Sequence, residues 1–164
     1  MNITHFFLLI SFFSTSTWAG EAHTHGHFKM SMAFQGSQGQ AQFEIPLESF
    51  VGFEHKPKNQ KQRDQLQKSL ELFETSISKI LEFDSRLGCE LKKKKLETHF
   101  ESSGHADLDA EFEILCQKSP KASSVVVRLV KTFPKAKKGE FDVLLDDFQK
   151  SYKIESAEQT IELK

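Results

Sequence analysis

Apolar and polar residues alternate in short runs over most of this chain, a pattern that predicts strands. Every second residue is apolar from Phe28 to Phe34, and again from Phe43 to Leu47 after the turn sequence at 36–39. A period of two is typical of a half-buried strand, and two such runs around a short turn predict a β-hairpin. Later alternating runs are Val125, Val127 and Leu129, then Phe141, Val143 and Leu145, then Tyr152 and Ile154, and last Ile161 and Leu163. We expect about seven strands in all.

Between these strand patterns the apolar period changes to that of a helix. The residues at helical spacing are Leu66, Leu70, Phe73, Ile77, Ile80 and Leu81. Asn59 is a good N-cap residue, so we expect one long amphipathic helix from Asn59 to about Phe83. Strands combined with one long helix predict an α+β fold, a mainly antiparallel sheet that could twist into two layers and on which the helix packs.

The start of the chain has the pattern of a cleaved signal peptide. An apolar run at 6–13 is followed by small and polar residues, which favour cleavage after Ala19, with Ala22 as the alternative. We therefore expect a signal peptide at 1–19 and a single domain at 20–164. The apolar run is too short to span a bilayer, so the interpretation is a secreted protein, periplasmic or extracellular, without stable membrane insertion.

Two cysteines, Cys89 and Cys116, follow the predicted leader. An even pair in an oxidising compartment favours a disulfide, and the absence of a CxxC spacing disfavours a metal role for the thiols. If the two cysteines oppose each other in an antiparallel hairpin, the opposed pairs are Leu91 with Ile114, Lys92 with Glu113, Lys93 with Phe112, and Lys94 with Glu111. This register places opposite charges across the ladder and puts the turn near Glu101–Gly104, which is rich in serine and glycine.

Charge and motifs argue against two large classes of function. The formal net charge is −1 at pH 7, and no basic stripe is combined with stacking aromatic residues, so we expect no nucleic-acid binding. The sequence contains no GxSxG, HExxH, P-loop or GxGxxG motif. We therefore predict that the protein is not an enzyme.

Three histidines at alternating positions, His23, His25 and His27, form the strongest chemical signal in the chain. Imidazoles in such a cluster are typical of a first-row metal site. On an extended backbone alternate side chains are rooted about 6.5–7 Å apart, so two can converge on one ion but three require a bend at Gly26 or a ligand from elsewhere. The alternative is a solvated terminus that binds metal loosely.

Further candidate ligands lie near the predicted hairpin turn and before the helix. His105 and Asp107 are expected to share the polar face of the hairpin beside Asp109, with His99 near the tip of the opposite strand. Histidines with carboxylates suit zinc, although a polar hairpin tip without a ligand is an equal alternative. His55 is either a reserve ligand or a structural histidine bonded to a backbone carbonyl. Met30 and Met32 have the parity of Phe28 and Phe34, which favours the core over copper ligation.

Five sequence blocks in a fixed order resemble the ZrgA-like family of bacterial periplasmic proteins associated with zinc uptake. The blocks are His25–His27, the sequence VGFEHKPK from Val51 with Phe50 before it, Gly88-Cys89, Gly104–Asp107 leading to Glu111-Phe112 and Cys116, and Thr132–Pro134. The resemblance implies a periplasmic zinc-binding protein that works beside an ABC-type importer. Members often carry a long insertion rich in histidine and acidic residues where this chain has only the stretch from Thr98 to His105. High-capacity zinc storage is therefore doubtful here.

The leading hypothesis is that the protein captures or relays zinc. Its predicted ligands are His23, His25, His27, His99, His105 and Asp107, with His55 in reserve. One alternative is an envelope module that binds a partner protein through a sheet edge, without a metal role. The other is copper binding, because cleavage after Ala22 would make His25 the third residue of the mature chain, a position that chelates Cu(II).

Overall fold

The computed structural model describes residues 27–102 and 104–164. The predicted signal peptide, His23 and His25 lie outside these residues. The strands are β1 (His27–Gln35), β2 (Gln38–Pro46), β3 (Leu81–Phe83), β4 (Glu90–Phe100), β5 (Ala106–Leu115), β6 (Ser123–Val127), β7 (Lys138–Leu145), β8 (Phe148–Ile154) and β9 (Gln159–Leu163). The α-helices are α1 (Leu47–Val51), α2 (Gln60–Ile80) and α3 (Leu129–Thr132), and Ser85–Leu87 forms a 3-10 turn.

The strands form two sheets. A six-stranded sheet has the order β4-β5-β2-β1-β7-β8, and a three-stranded sheet has the order β3-β6-β9. Among the described strands, β1 and β7 alone pair in parallel, and the other pairs are antiparallel. The predicted α+β class, a mainly antiparallel sheet with one long helix, is confirmed.

The hydrophobic core lies on one face of the six-stranded sheet. Strand β1 alternates strictly, with Phe28, Met30, Met32 and Phe34 buried, and Met30 and Met32 are only 3% and 1% exposed. Both methionines are therefore core residues, as predicted. Helix α2 packs on this face through Phe73, whose ring centroid lies 5.2 Å from that of Phe43 in an edge-to-face arrangement.

Helix α2 begins where the sequence predicts and ends earlier. The Asn59 side chain accepts a hydrogen bond of 2.9 Å from the backbone N–H of Gln62, as an N-cap does. The predicted end near Phe83 is wrong, because the helix ends at Ile80 and Leu81–Phe83 forms β3, paired with β6. Helical spacing could not mark this boundary, since Leu81 follows Ile80 directly and is buried in either conformation.

Two predicted strand residues belong to short helices instead. Leu47 opens α1 immediately after Pro46, which has no backbone N–H with which to extend the β2 ladder. Leu129 opens α3, because the backbone N–H of Arg128 donates to Ile80 O at 2.9 Å and the chain leaves β6 there. In both cases an apolar residue continues the alternation although the backbone has already turned.

The predicted cysteine pairing is confirmed, and Cys89 is bonded to Cys116. The predicted register also holds from Leu91 opposite Ile114 to Lys93 opposite Phe112. Beyond Lys93 the register shifts by one residue.

At that shift Lys94 is an extra residue in β4, and pairing resumes with Lys95 opposite Glu111. The predicted pairing of Lys94 with Glu111 is therefore wrong, and Lys94 Nζ instead lies 3.5 Å from Glu113 Oε2. Such a β-bulge exchanges the two faces of the strand for every later residue.

Within the part of the chain that the structure describes, no helix is long and apolar enough to cross a membrane.

Candidate metal site

The face of the six-stranded sheet opposite the core carries histidine and carboxylate side chains at the β4–β5 turn. On β5, Asp107 and Asp109 alternate with the buried residues Ala106, Leu108 and Ala110, so both carboxylates belong to this outer face. Because of the bulge at Lys94, Glu97 and His99 near the end of β4 belong to the same outer face. Glu97 is opposite Asp109, and His99 is opposite Asp107. The outer face at this end therefore brings one imidazole and three carboxylates together.

His99 and Asp109 are the closest pair of possible ligands. The distance from His99 Nε2 to Asp109 Oδ2 is 3.2 Å, and the distance to Glu97 Oε2 is 3.7 Å. Two ligand atoms on a tetrahedral zinc ion, each about 2.0–2.1 Å from the metal, lie about 3.3 Å apart. The observed spacing thus fits two atoms that coordinate one zinc ion.

The carboxylates continue beyond this pair. Glu44 on β2 is the cross-strand neighbour of Asp109, so Glu97, Asp109 and Glu44 form a row across β4, β5 and β2, which we call the carboxylate row. Asp107 is only 8% exposed. An open depression of about 470 Å³ at this end is lined by Glu44, His99, Phe100, Glu101, Asp107 and Asp109.

His27 lies at the same end of the sheet. Strand β1 is antiparallel to β2, and β2 is antiparallel to β5, so β1 and β5 run in the same direction and both begin near the hairpin turn. His27 precedes the buried Phe28 and therefore belongs to the outer face with Lys29. The last histidine of the N-terminal cluster thus begins β1 at the end where His99 and Asp109 meet.

His105 is held by a different segment. It lies in the turn before β5, where its carbonyl accepts a 2.8 Å hydrogen bond from the Glu101 N–H. Its Nδ1 is 3.8 Å from Glu54 Oε2, in the loop between α1 and α2. Among the described residues, His105 therefore contacts the segment before α2, whereas Asp107 and Asp109 lie on the outer face.

His55 has the contacts of a structural histidine. Its Nδ1 lies 2.9 Å from Lys56 O, and its ring stacks on Phe53 with centroids 5.4 Å apart. Donation from Nδ1 to the carbonyl selects the tautomer in which Nε2 carries the lone pair. Nε2 is then the atom through which His55 could bind a metal.

The described residues do not form a complete metal site by themselves. Within residues 27–102 and 104–164, no group of three or more His, Cys, Asp or Glu side chains is arranged to hold an ion. The spacing of His99 and Asp109 is one that two ligands of the same ion could take. His23 and His25 lie outside the described part.

Sequence reasoning missed two residues of this cluster, Glu97 and Glu44. In the unbulged register Glu97 and His99 would oppose Leu108 and Ala106 on the core face, so neither would meet Asp109. The sequence did contain one signal, because Asp107, Asp109 and Glu111 stand at every second position of β5. Such alternation indicates that the three carboxylates share one face of the strand. Nothing in the β4 sequence identifies Lys94 as the inserted residue, because four lysines stand in succession.

The fold and this cluster define a class of protein, an α+β protein of two sheets with histidine and carboxylate side chains at one end of the larger sheet. The chain belongs to the ZrgA family of zinc uptake proteins, whose model matches residues 22–163. The resemblance drawn from the five sequence blocks is confirmed. No curated protein matches the chain at a significant level.

Proposed function

We propose that the protein is a periplasmic zinc-binding protein that captures or relays zinc beside an ABC-type importer. Zinc would be bound on the outer face by His99 and Asp109 together with the N-terminal histidines His23, His25 and His27. The observation that carries the proposal is that β1 begins, at His27, on the end and face of the sheet where His99 lies 3.2 Å from Asp109. Membership of a zinc uptake family supports zinc as the ion.

The chain before β1 is long enough to complete the site. Strands β1 and β4 are three positions apart in the sheet, a distance of about 14 Å at the usual strand spacing. His25 is two residues before His27 and His23 is four, and each residue spans up to about 3.3–3.6 Å. An extended segment therefore covers about 14 Å from His27 to His23, and an imidazole adds further reach.

The proposed ligands have the chemistry that zinc requires. Zinc prefers four ligands from imidazole, thiolate and carboxylate groups, and the thiols of Cys89 and Cys116 are already joined in a disulfide. Two or three imidazoles from the N-terminal segment with His99 and Asp109 would satisfy four-fold coordination. Asp107 lies beside this set. His105 is a reserve ligand, since it lies near Glu54 of the segment before α2, and His55 has the contacts of a structural histidine.

Calorimetry with zinc on the secreted form tests the proposal. Replacement of all three N-terminal histidines by alanine, and separately His99→Ala, should each weaken binding by about tenfold or more, because each removes direct ligands. His55→Ala is the matched control and should leave the affinity nearly unchanged. Wild-type binding no tighter than that of a synthetic peptide of residues 20–28 would overturn the proposal.

Other expectations from the sequence remain predictions with their own tests. Cleavage after Ala19 leaves the histidines internal, whereas cleavage after Ala22 creates the copper-chelating arrangement at His25. N-terminal sequencing of the secreted form decides between them. A partner captured from a periplasmic extract equally well with and without a chelator would favour the interaction module. Assignment to a zinc uptake family agrees with a protein that catalyses no reaction.

A further inference from the structure

Four of the described strands lie at a sheet edge, and three of these edges are poorly suited to pairing with another strand. The strand orders end at β4 and β8 in the larger sheet and at β3 and β9 in the smaller one. Strand β3, Leu81–Phe83, has only three residues, and very short edge strands resist pairing. Strands β8 and β9 are bridged by side chains, because Tyr152 Oη donates to Glu162 O and Gln159 Nε2 donates to Lys153 O, each at 2.9 Å. Another strand would have to break these bonds to enter between them.

Strand β4 is different, because it is a long strand at an open edge. Its eleven residues, Glu90–Phe100, pair with β5, and among the described strands no second partner lies on its other side. The side chains of Lys92 and Lys94 in the middle of the strand are 58% and 53% exposed. A long exposed edge presents backbone N–H and C=O groups with which another chain can pair.

Four consecutive lysines, Lys92–Lys95, occupy the middle of this edge. Each ammonium group lies near a carboxylate of the same chain, Glu90 at 4.0 Å, Glu74 at 2.7 Å, Glu113 at 3.5 Å, and Glu97 and Asp109 at 3.6 Å each. These pairs are exposed to solvent, and exposed pairs contribute little to stability, so the ammonium groups stay hydrated. A strand added to β4 would have to displace that water.

The bulge makes the lysines hard to avoid. It divides β4 into two regular halves, Glu90–Lys93 and Lys95–Phe100, and it bends the strand between them. Lysines lie in both halves, immediately beside the bulge, and Lys94 is the inserted residue itself. Any partner strand longer than one half must therefore cross the lysine run.

We propose that the lysine run keeps the open edge of β4 from pairing with the same edge of a second copy of the chain. Two identical strands pair antiparallel about a two-fold axis, so a pairing centred on this edge would place lysines opposite lysines. Like charges directly opposite each other destabilise a pair of strands. The inference is independent of the proposed function, because it invokes no metal.

Sedimentation velocity tests the proposal on the secreted wild type and on two variants that lose the same positive charge. Lys92→Thr/Lys94→Thr removes two lysines from β4. Lys150→Thr/Lys153→Thr is the matched control, because it removes two lysines from β8, whose edge is bridged to β9. Threonine is well accepted in strands, so both variants should fold. We expect the β4 variant to self-associate at about tenfold lower concentration than the wild type, and the control to behave like the wild type.

Amide hydrogen exchange locates the association. In the Lys92→Thr/Lys94→Thr variant, β4 amides that point away from β5 should exchange more slowly at high protein concentration. The wild type should show the same protection in about 1 M salt, because the Debye length falls from about 10 Å at 0.1 M to about 3 Å. This second measurement uses the unmodified chain and does not depend on how the variants fold.

Three results would overturn the proposal. The first is a β4 variant that stays as monomeric as the wild type over the same concentration range. The second is equal association of both variants, which would show that net charge matters rather than this edge. The third is association without new protection of β4 amides, because the copies would then meet through another surface.

Discussion

Phenylalanine rings on β1 lie over glycines of the two neighbouring strands. Phe28 is paired with Gly139 on β7, and Phe34 is paired with Gly39 on β2. A Cβ atom at Gly139 would lie 2.3 Å from Phe28 O and 2.4 Å from its ring, and one at Gly39 would lie 2.7 Å from both Ala33 O and the Phe34 ring. The absent side chains are therefore what allows both rings to pack flat in the core.

Gly139→Ala should destabilise the protein by about 1–3 kcal/mol, the usual range for overpacking a core. The Phe28 carbonyl belongs to the backbone and cannot rotate away, so the strain must shift the β1–β7 pairing itself. Urea unfolding measures the change. Glu140→Ala, at the next residue but on the exposed face, is the control and should change the free energy of unfolding by less than about 0.5 kcal/mol.

Arg128 joins three parts of the chain. Its guanidinium is paired with Glu82 on β3 and with Glu158 before β9, at 2.7 Å for the latter, and its side chain is only 20% exposed. Hydrogen bonding to Arg128, and then to Lys131, lowers the pKa of Glu158 below its usual value. The carboxylate is thus stabilised in its charged form by the fold.

Arg128→Met should destabilise the protein by about 1 kcal/mol at pH 7, since two partly screened pairs are lost. The effect should shrink near pH 3. A carboxyl group whose folded pKa is lowered stabilises the fold above its unfolded pKa, and that contribution disappears as the pH falls through the folded pKa. Urea unfolding of both proteins at the two pH values checks this, and an equal difference at both would show that the effect is packing rather than charge.

At the scale of elements, the bulge in β4 determines which β4 side chains share the outer face with Asp107 and Asp109. Deletion of Lys94 should restore the continuous register, in which His99 opposes Ala106 on the core face. We expect zinc affinity to fall as far as in His99→Ala, with a loss of stability because Leu96 and Phe100 would turn outward. Calorimetry and urea unfolding measure the two effects.

Lys94→Ala is the matched control for this deletion, because it keeps the residue count of β4 and removes only the side chain. It should retain the zinc affinity of the wild type, and its stability should change little, since Lys94 forms one exposed pair with Glu113. A deletion variant that bound zinc as well as the wild type would show that the bulge does not position His99.

The disulfide closes the opposite end of the β4–β5 hairpin. Replacing Cys89 and Cys116 by serine should lower the free energy of unfolding by about 3–4 kcal/mol for a separation of 27 residues in the chain-entropy model. The site at His99 lies about 30 Å along β4 from this bond. Zinc affinity of the folded double variant should therefore match that of the wild type, and a large loss would show that the proposed site depends on the disulfide at the far end of the hairpin.

Local sequence patterns predicted which strands and helices form better than they predicted the residues at which these elements end. The alternating runs around Phe141, Tyr152 and Ile161 are β7, β8 and β9, and the Asn59 cap marks the start of α2. The end of α2 and the bulge escaped prediction because each depends on what the residue packs against. A run of lysines carries no information about which one is extra.

The whole molecule brings together residues that local patterns cannot connect. The hairpin prediction placed His99 near the turn, and the histidine cluster was visible in the sequence. That His27 begins β1 at the sheet end where His99 lies follows from the strand order β4-β5-β2-β1, in which β1 lies two strands from β5. Neither the long-range pairing of β2 with β5 nor the parallel pairing of β1 with β7 leaves a signal in either strand alone.

The parallel pairing of β1 with β7 has a consequence for the order of folding. The hairpins β1–β2 and β4–β5 close over short turns, whereas His27–Phe34 must find Lys138–Leu145, more than a hundred positions later. Non-local pairings of this kind make folding slow. A chain that is synthesised from its N-terminus cannot pair β1 with β7 until most of its length has been made. Under the proposed function, the histidines ahead of β1 could approach the β4–β5 turn only after β2 has paired with β5. We therefore expect refolding rates that are independent of zinc, with the ion binding to a completed sheet rather than guiding its assembly.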